Sequence, residues 1–243
     1  MSPLVRLCIL RYSTNRERNG FLPTEYESEI LFPAVTEYLR ANLCSLPKEI
    51  LPLDEELRKE TLPIVRPETA RFLSLLCTLK QPKRILEIGT CVGYSALIMR
   101  YSCGASIVTM DRYDYMIGRA KENFQKYDPD ERITLLEGQA SELLPSLTGE
   151  FDFIFLDAAK AQYPAFLPHI LQLLAKDGLF LADNVLFEGL TADSRRSSRR
   201  DKTIVRRLRS FISSLNSNPG LKTSLLPIGD CVTLSVRTGL TTL

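Results

Sequence analysis

One histidine, His169, and six cysteines with no C-x-x-C pair are the only nitrogen and sulfur metal ligands in this 243-residue chain. A zinc site needs such ligands in a cluster, so the sequence argues against zinc, and any metal would have to be held by oxygen. Cys8, Cys44, Cys77, Cys91, Cys103 and Cys231 are scattered and read as reduced, mostly buried thiols. No apolar run approaches the ~20 residues that span a bilayer. The stretch from Met1 to Leu10 is short, is interrupted by Arg6 and precedes no small-residue cleavage site, so it does not read as a signal peptide. These absences predict a soluble, unexported, cytoplasmic protein. Internal repeats and long low-complexity segments are also missing.

What remains is an ordinary globular composition, 44% hydrophobic and 25% charged, long enough to bury one sizeable core. Residues 1–20 are expected to be flexible. Residues 21–243 are expected to form a single domain, with a helical extension at 21–82 and a catalytic core at 83–243. Net charge is only +2, but it is unevenly spread. From Asp193 to Arg209 eight Arg or Lys face two Asp, a net of +6, so the remainder carries about −4. Such a basic segment is a candidate footprint for a polyanion.

In the extension, Thr24 can cap a helix, with Glu27 placed for a capping box and Ile30, Leu31, Val35, Tyr38 and Leu39 forming an apolar face. A second helix is expected from Pro67, carrying Phe72, Leu73, Leu75, Leu76 and Leu79 up to Gln81-Pro82. From Lys83 short apolar strands alternate with helices. The strands are read at Arg84–Gly89, Ile107–Asp111, Ile133–Glu137, Phe153–Asp157, Gly178–Asp183, Ser224–Ile228 and Cys231–Arg237. Such alternation predicts a doubly wound, seven-stranded, mainly parallel α/β sheet covered on both faces. Pro227-Ile228-Gly229-Asp230 supplies turn chemistry between the last two strands, which makes them an antiparallel hairpin.

The first strand runs into Glu87-Ile88-Gly89-Thr90-Cys91-Val92-Gly93-Tyr94-Ser95. Gly89 and Gly93 permit a sharp turn and close approach to a ligand before a helix begins. Open α/β sheets bind ligands at the carboxyl ends of their strands. Asp111, about 20 positions on at the end of the second strand, suits a ribose diol. The loop lacks both the G-x-G-x-x-G spacing of dinucleotide folds and the Gly-Lys-Ser/Thr of a P-loop. A glycine turn that only packs helix on strand has the same sequence. Two further strands end in carboxylates, at Asp157 within L-D-A-A-K and at Asp183-Asn184 within D-N-V-L-F. If those ends are neighbours, two carboxylates and an amide make an oxygen-only set suited to Mg²⁺. The same residues can instead cap the helices that follow.

The E-I-G-T-x-x-G-Y-S motif, together with L-D-A-A-K and D-N-V-L-F, resembles S-adenosylmethionine-dependent class I O-methyltransferases of the catechol and caffeoyl-CoA type. The resemblance implies a Rossmann-like fold, a homodimer, and Glu87, Gly89 and Ser95 around the methionine part of the cofactor. It puts Asp111 on the ribose, with Val65, Gln139, Ala140 and Asp157 nearby, although relatives commonly have an acidic residue where this chain has Gln139. It also implies Asp157, Asp183 and Asn184 as metal ligands and Lys160 as general base, its pKa lowered by burial beside the cation. A solvated Lys160 is the alternative. The acceptor should then present two adjacent oxygens, as catechols do.

Within residues 60–237, L-P-I, K-Q-P-K-R-I-L-E-I-G-T, D-N-V-L-F-x-G-L, the Arg-rich run and P-I-G-D resemble bacterial tRNA 5-hydroxyuridine O-methyltransferases. This implies methylation of the wobble base to 5-methoxyuridine, with Arg195, Arg196, Arg199 and Arg200 as RNA contacts rimming the site. Phe187 or Tyr163 could stack on the base, or could equally be core. The alternative acceptor is a small catechol-like or caffeoyl-CoA-like phenol, since a basic rim can also bind coenzyme A phosphates.

Overall fold

The computed structural model describes residues 32–239 apart from 194, 196, 197 and 200. Thr24, Glu27, Ile30 and Leu31 lie outside the described residues. The extension contains α1 (Pro33–Ala41), a 3₁₀ turn (Lys48–Ile50), α2 (Leu51–Leu57) and α3 (Pro67–Lys80). Pro67 sits in the first turn of α3, where its fixed φ favours the helix and its missing N–H costs nothing. Gln81 ends that helix in the left-handed region, and Pro82 follows.

The core alternates β1 (Arg84–Ile88), α4 (Tyr94–Cys103), β2 (Ser106–Asp111), α5 (Asp114–Tyr127), β3 (Ile133–Glu137), α6 (Ala140–Leu143), β4 (Phe151–Leu156), α7 (Tyr163–Leu173), β5 (Leu174–Ala182), α8 (Asp201–Ser217), β6 (Leu221–Leu226) and β7 (Val232–Arg237). The sheet order is β3-β2-β1-β4-β5-β7-β6. Strands β1 to β5 pair in parallel, while β7 runs antiparallel to both β5 and β6. The expected seven-stranded doubly wound sheet is therefore present, with its expected hairpin. Among the described residues no helix is long and apolar enough to cross a membrane.

The central strands β1 and β4 are buried on both faces, which accounts for their reading as nearly continuous apolar runs. Ile85, Phe153 and Phe155 pack with the extension, α3 and α4; Leu86, Ile88, Ile154 and Leu156 pack with α7 and α8. In α8, Val205, Leu208, Phe211 and Leu215 recur at helical spacing and are buried, leaving its basic residues toward solvent.

Three expectations need correction. Val35, Tyr38 and Leu39 of α1 are exposed, so that apolar stripe is not buried among the described residues. In α3, Leu73 and Leu76 are buried but Leu75 and Leu79 are exposed, because only one side of the helix meets α4 and the sheet. Of the five described cysteines only Cys77 and Cys231 are buried, and none is in a disulfide.

Candidate active site

The five parallel strands end in a row, and their registers put the chemistry-bearing residues abreast. Ile88 pairs with Met110 and with Leu156, and Leu156 pairs with Ala182. The next residues along therefore leave the sheet side by side: Asp111, Gly89, Asp157 and Asp183. Backbone bonds extend the ladder through this row. Gly89 N–H donates to the Met110 carbonyl at 3.1 Å, Asp157 N–H to Ile88 at 3.0 Å, and Asp183 N–H to Leu156 at 3.0 Å. Gly89 is obligatory here: its φ is +108°, and a Cβ would stand 2.0 Å from the Asp157 carbonyl oxygen.

A cavity of about 540 Å³ opens over this row, a size typical of small-molecule sites. Of the residues named for the cofactor, Val65, Gly89, Ser95, Asp111, Gln139, Ala140 and Asp157 line it and Glu87 does not; Lys160 lines it too. Asp111 is held from both sides. Its Oδ2 accepts from Cys91 N–H at 2.8 Å, and its Oδ1 accepts from Arg112 N–H at 2.7 Å and Tyr113 N–H at 3.1 Å. Gln139 Oε1 accepts from Arg112 Nη1 at 3.0 Å. Sequence reasoning missed Ile64, Tyr113, Tyr115 and Met116, which also form the wall. The exposed aromatic rings of Tyr113 and Tyr115, just after the acidic end of β2, were the signal available.

Glu87 is placed differently from the rest. It is fully buried and lies behind the wall rather than on it. Thr109 Oγ1 donates to its Oε2 at 2.5 Å, while among the described residues no donor meets hydrogen-bond geometry at its Oε1. Burial pushes the carboxyl up to about 8, against the opposing hydroxyls of Ser95 and Thr109, and the charges of Asp157 and Asp111 push the same way.

Next to the cavity, Lys160 Nζ donates to Asp157 Oδ1 at 2.9 Å. Asp183 is buried, with Asn184 N–H donating to its Oδ1 at 2.7 Å and the buried Tyr163 hydroxyl donating to its carbonyl at 3.1 Å. Burial raises the Asp183 carboxyl, the charge of Asp157 adds to this, and Lys160 opposes it. Asn184 stands at φ +55°, a left-handed conformation that asparagine tolerates well. The expected depression of the lysine is not seen. Burial does disfavour the ammonium, but the carboxylates of Asp157 and Asp183 outweigh it, and Lys160 is raised above its ordinary value. Among the described residues no group of three or more His, Cys, Asp and Glu side chains is arranged to hold a metal ion. The candidate oxygen set has two carboxylates and an amide. Tyr163 is core, in edge contact with Phe211 at 5.3 Å, and not a free stacking platform.

The basic segment only partly matches its expected role. Arg196 and Arg200 lie outside the described residues. Arg199 is exposed. Arg195 is exposed but ion-paired with Asp193 at 2.6 Å. Arg207 donates to the Ala161 carbonyl at 3.0 Å and Arg209 to that of Thr191 at 2.8 Å. None of the described arginines of this segment lines the cavity.

The family profile described as O-methyltransferase matches residues 48–238. The chain belongs to the O-methyltransferase family. This O-methyltransferase is 36% identical over 182 residues to O-methyltransferase ankF of Aspergillus thermomutatus, covering 69% of this chain and 76% of that protein. It is 28% identical over 204 residues to a catechol O-methyltransferase of Niastella koreensis, covering 81% and 90%. Its fold superimposes on the S-adenosylhomocysteine-bound methyltransferase PaMTH1 of Podospora anserina with a TM-score of 0.76 at 31% identity, over 90% of this chain and 99% of that one.

Proposed function

We propose that this O-methyltransferase moves the methyl group of S-adenosylmethionine onto one hydroxyl of a small phenol bearing two adjacent oxygens, of the catechol or caffeoyl-thioester kind. The row of strand ends carries this reading: the cavity around Gly89 and Asp111 runs directly into Asp157 and Lys160, with Asp183 one strand further on. Glu87, Gly89 and Ser95 would take the methionine end of the cofactor. Asp111, already fixed by three backbone donors, would take the ribose diol. Val65, Gln139 and Ala140 would flank the base.

Asp157, Asp183 and Asn184 fit a hard divalent cation such as Mg²⁺. Two carboxyl groups here share the single ammonium of Lys160, and burial together with the charge of Asp157 disfavours ionisation of Asp183, a penalty that a bound cation would relieve. A cation bound by these three side chains would lower the pKa of the acceptor hydroxyl and fix its orientation. The carboxylates that raise Lys160 are the same ones. With their charge neutralised, burial would depress the lysine, and its Nζ could take the hydroxyl proton. Bound S-adenosylmethionine would supply the methyl carbon, and the deprotonated phenolic oxygen would form its bond to it as the carbon–sulfur bond breaks. The electron pair would stay on sulfur, giving the neutral thioether, and the proton would rest on Lys160. Most of the rate on this account comes from positioning the two reactants in line.

A wobble 5-hydroxyuridine offers the same oxygen pair, with its 5-hydroxyl beside the 4-carbonyl, and was the reading the Arg-rich run favoured. The small phenol is preferred because a relative is named for catechol and because Arg195, Arg207 and Arg209 are engaged within the chain. The test is parallel incubation with labelled S-adenosylmethionine and either a dihydroxyphenol or hydroxyuridine-containing tRNA. Label in the phenol is expected; label in the tRNA alone would reject the assignment. The exposed Tyr38, Leu39, Leu75 and Leu79 support a homodimer built through α1 and α3, which mass measurement in solution would check.

A further inference from the structure

The sheet register places Glu87 of β1 directly opposite Thr109 of β2 on one side and Phe155 of β4 on the other. The carboxyl therefore has one polar neighbour and one apolar neighbour within the sheet. Thr109 is fully buried and gives its hydroxyl proton to Glu87 Oε2 at 2.5 Å. A hydroxyl has one proton, so Thr109 must be the acceptor in its 2.6 Å contact with the Thr90 hydroxyl. The chain of bonds thus runs Thr90 to Thr109 to Glu87. It begins at a residue on the cavity wall and ends at a carboxylate behind it.

The other carboxylate oxygen has no such support. Among the described residues no donor meets hydrogen-bond geometry at the buried Glu87 Oε1, although the nearby Ser95 hydroxyl favours the ionised form. A buried carboxylate oxygen left unsatisfied is costly, and the cost falls when a donor arrives. Gly89, Thr90 and Ser95 all line the cavity around it, so a donor reaching this oxygen would come from a ligand there.

We propose that Thr109, backed by Thr90, is a positioning residue for cofactor recognition: it pins one Glu87 oxygen so that the other keeps its lone pairs for the ammonium group at the amino-acid end of the ligand. This rests on reading the cavity as the S-adenosylmethionine site. Thr109 then acts on the amino-acid end only and has no effect on the nucleoside end.

The test compares two ligands by calorimetry. S-adenosylhomocysteine has the amino-acid end; 5′-methylthioadenosine has the same nucleoside and thioether without it. Thr109→Val removes the hydroxyl at nearly constant shape, and Thr109→Ser restores it. Thr109→Val is expected to weaken S-adenosylhomocysteine about ten- to hundredfold, the range for a hydrogen bond to a charged group. It should leave 5′-methylthioadenosine within about twofold, and Thr109→Ser should recover most of the loss. Equal weakening of both ligands, or a Thr109→Ser protein as impaired as Thr109→Val, would make the role merely structural and overturn the proposal. Unchanged S-adenosylhomocysteine affinity in Thr109→Val would overturn it too. Failure of the unaltered protein to bind either ligand would instead reject the cofactor reading, and the proposal with it.

Discussion

Lys160 Nζ sits 2.9 Å from Asp157 Oδ1, and both residues line the cavity beside the buried Asp183. A lysine used only for charge balance and one used for proton transfer have the same geometry but different kinetics. Lys160→Met keeps the length of the side chain and removes the amine. We predict a fall in kcat of about 10²–10⁴, the usual contribution of a positioned acid–base group. Affinity for S-adenosylhomocysteine, measured by calorimetry, should change little. A kcat within a factor of about three of the original would return Lys160 to a structural role.

Glu87 gives a pH prediction with a definite sign. Its carboxyl is raised from 4.5 to about 8 in the fold, so the folded state holds a proton that the unfolded chain releases. The contribution of this group to stability is therefore fully present below about pH 4.5 and is lost as pH rises toward 8. Glu87→Gln removes this penalty while keeping an acceptor for Thr109. The stability of the variant relative to the original protein, followed by thermal denaturation, should rise across that window by on the order of a few kcal/mol at most. Parallel melting curves from pH 4.5 to 8 would contradict the buried state of Glu87.

At Gly89 backbone conformation and space point the same way. Gly89→Ala would put a methyl 2.0 Å from the Asp157 carbonyl at φ +108°. Backbone atoms cannot retreat as a side-chain tip can, so the row of strand ends must shift. We expect a loss of about 3 kcal/mol or more and no measurable cofactor binding, read by thermal denaturation and calorimetry. A variant that melts within about 2 °C of the original would refute the packing described for this turn.

These examples also show what could be read from the sequence. β1, β2, β3 and the row of acidic strand ends were legible because apolar runs closing on Gly89, Asp111, Asp157 and Asp183 have few other arrangements in a parallel sheet. The start of β5 at Leu174 was not, because the β4–β5 register shifts between Phe151 and Phe153 and Asp177 takes φ +58°. The exposed side of α3 was hidden because Leu75 and Leu79 have the same chemistry as buried Leu73 and Leu76, and only packing against α4 separates them. The sign at Lys160 depended on two carboxylates acting against burial, a balance set by distance alone.

The extension is tied to the site through Tyr94. Its hydroxyl donates to Asp54 Oδ1 of α2, and Arg58 Nη2 donates to the same hydroxyl at 3.1 Å. Tyr94→Phe retains the ring on the cavity wall but leaves Asp54 with only Arg58 and Arg71. We predict a loss of about 1–2 kcal/mol, or a melting temperature lower by roughly 2–6 °C, with cofactor affinity nearly unchanged. A large loss of affinity without destabilisation would give the hydroxyl a ligand-binding role instead.

The central claim is that a bound methyl donor and a two-oxygen acceptor meet over Asp157, Asp183 and Asn184. The most direct measurement is transfer of labelled methyl from S-adenosylmethionine to a 1,2-dihydroxyphenol and to the matching monohydroxyphenol, each with added Mg²⁺ and with a chelator. The account predicts label in the dihydroxyphenol only, lost with the chelator and lost in Asp183→Asn. Equal methylation of both phenols, undiminished by chelation, would contradict it.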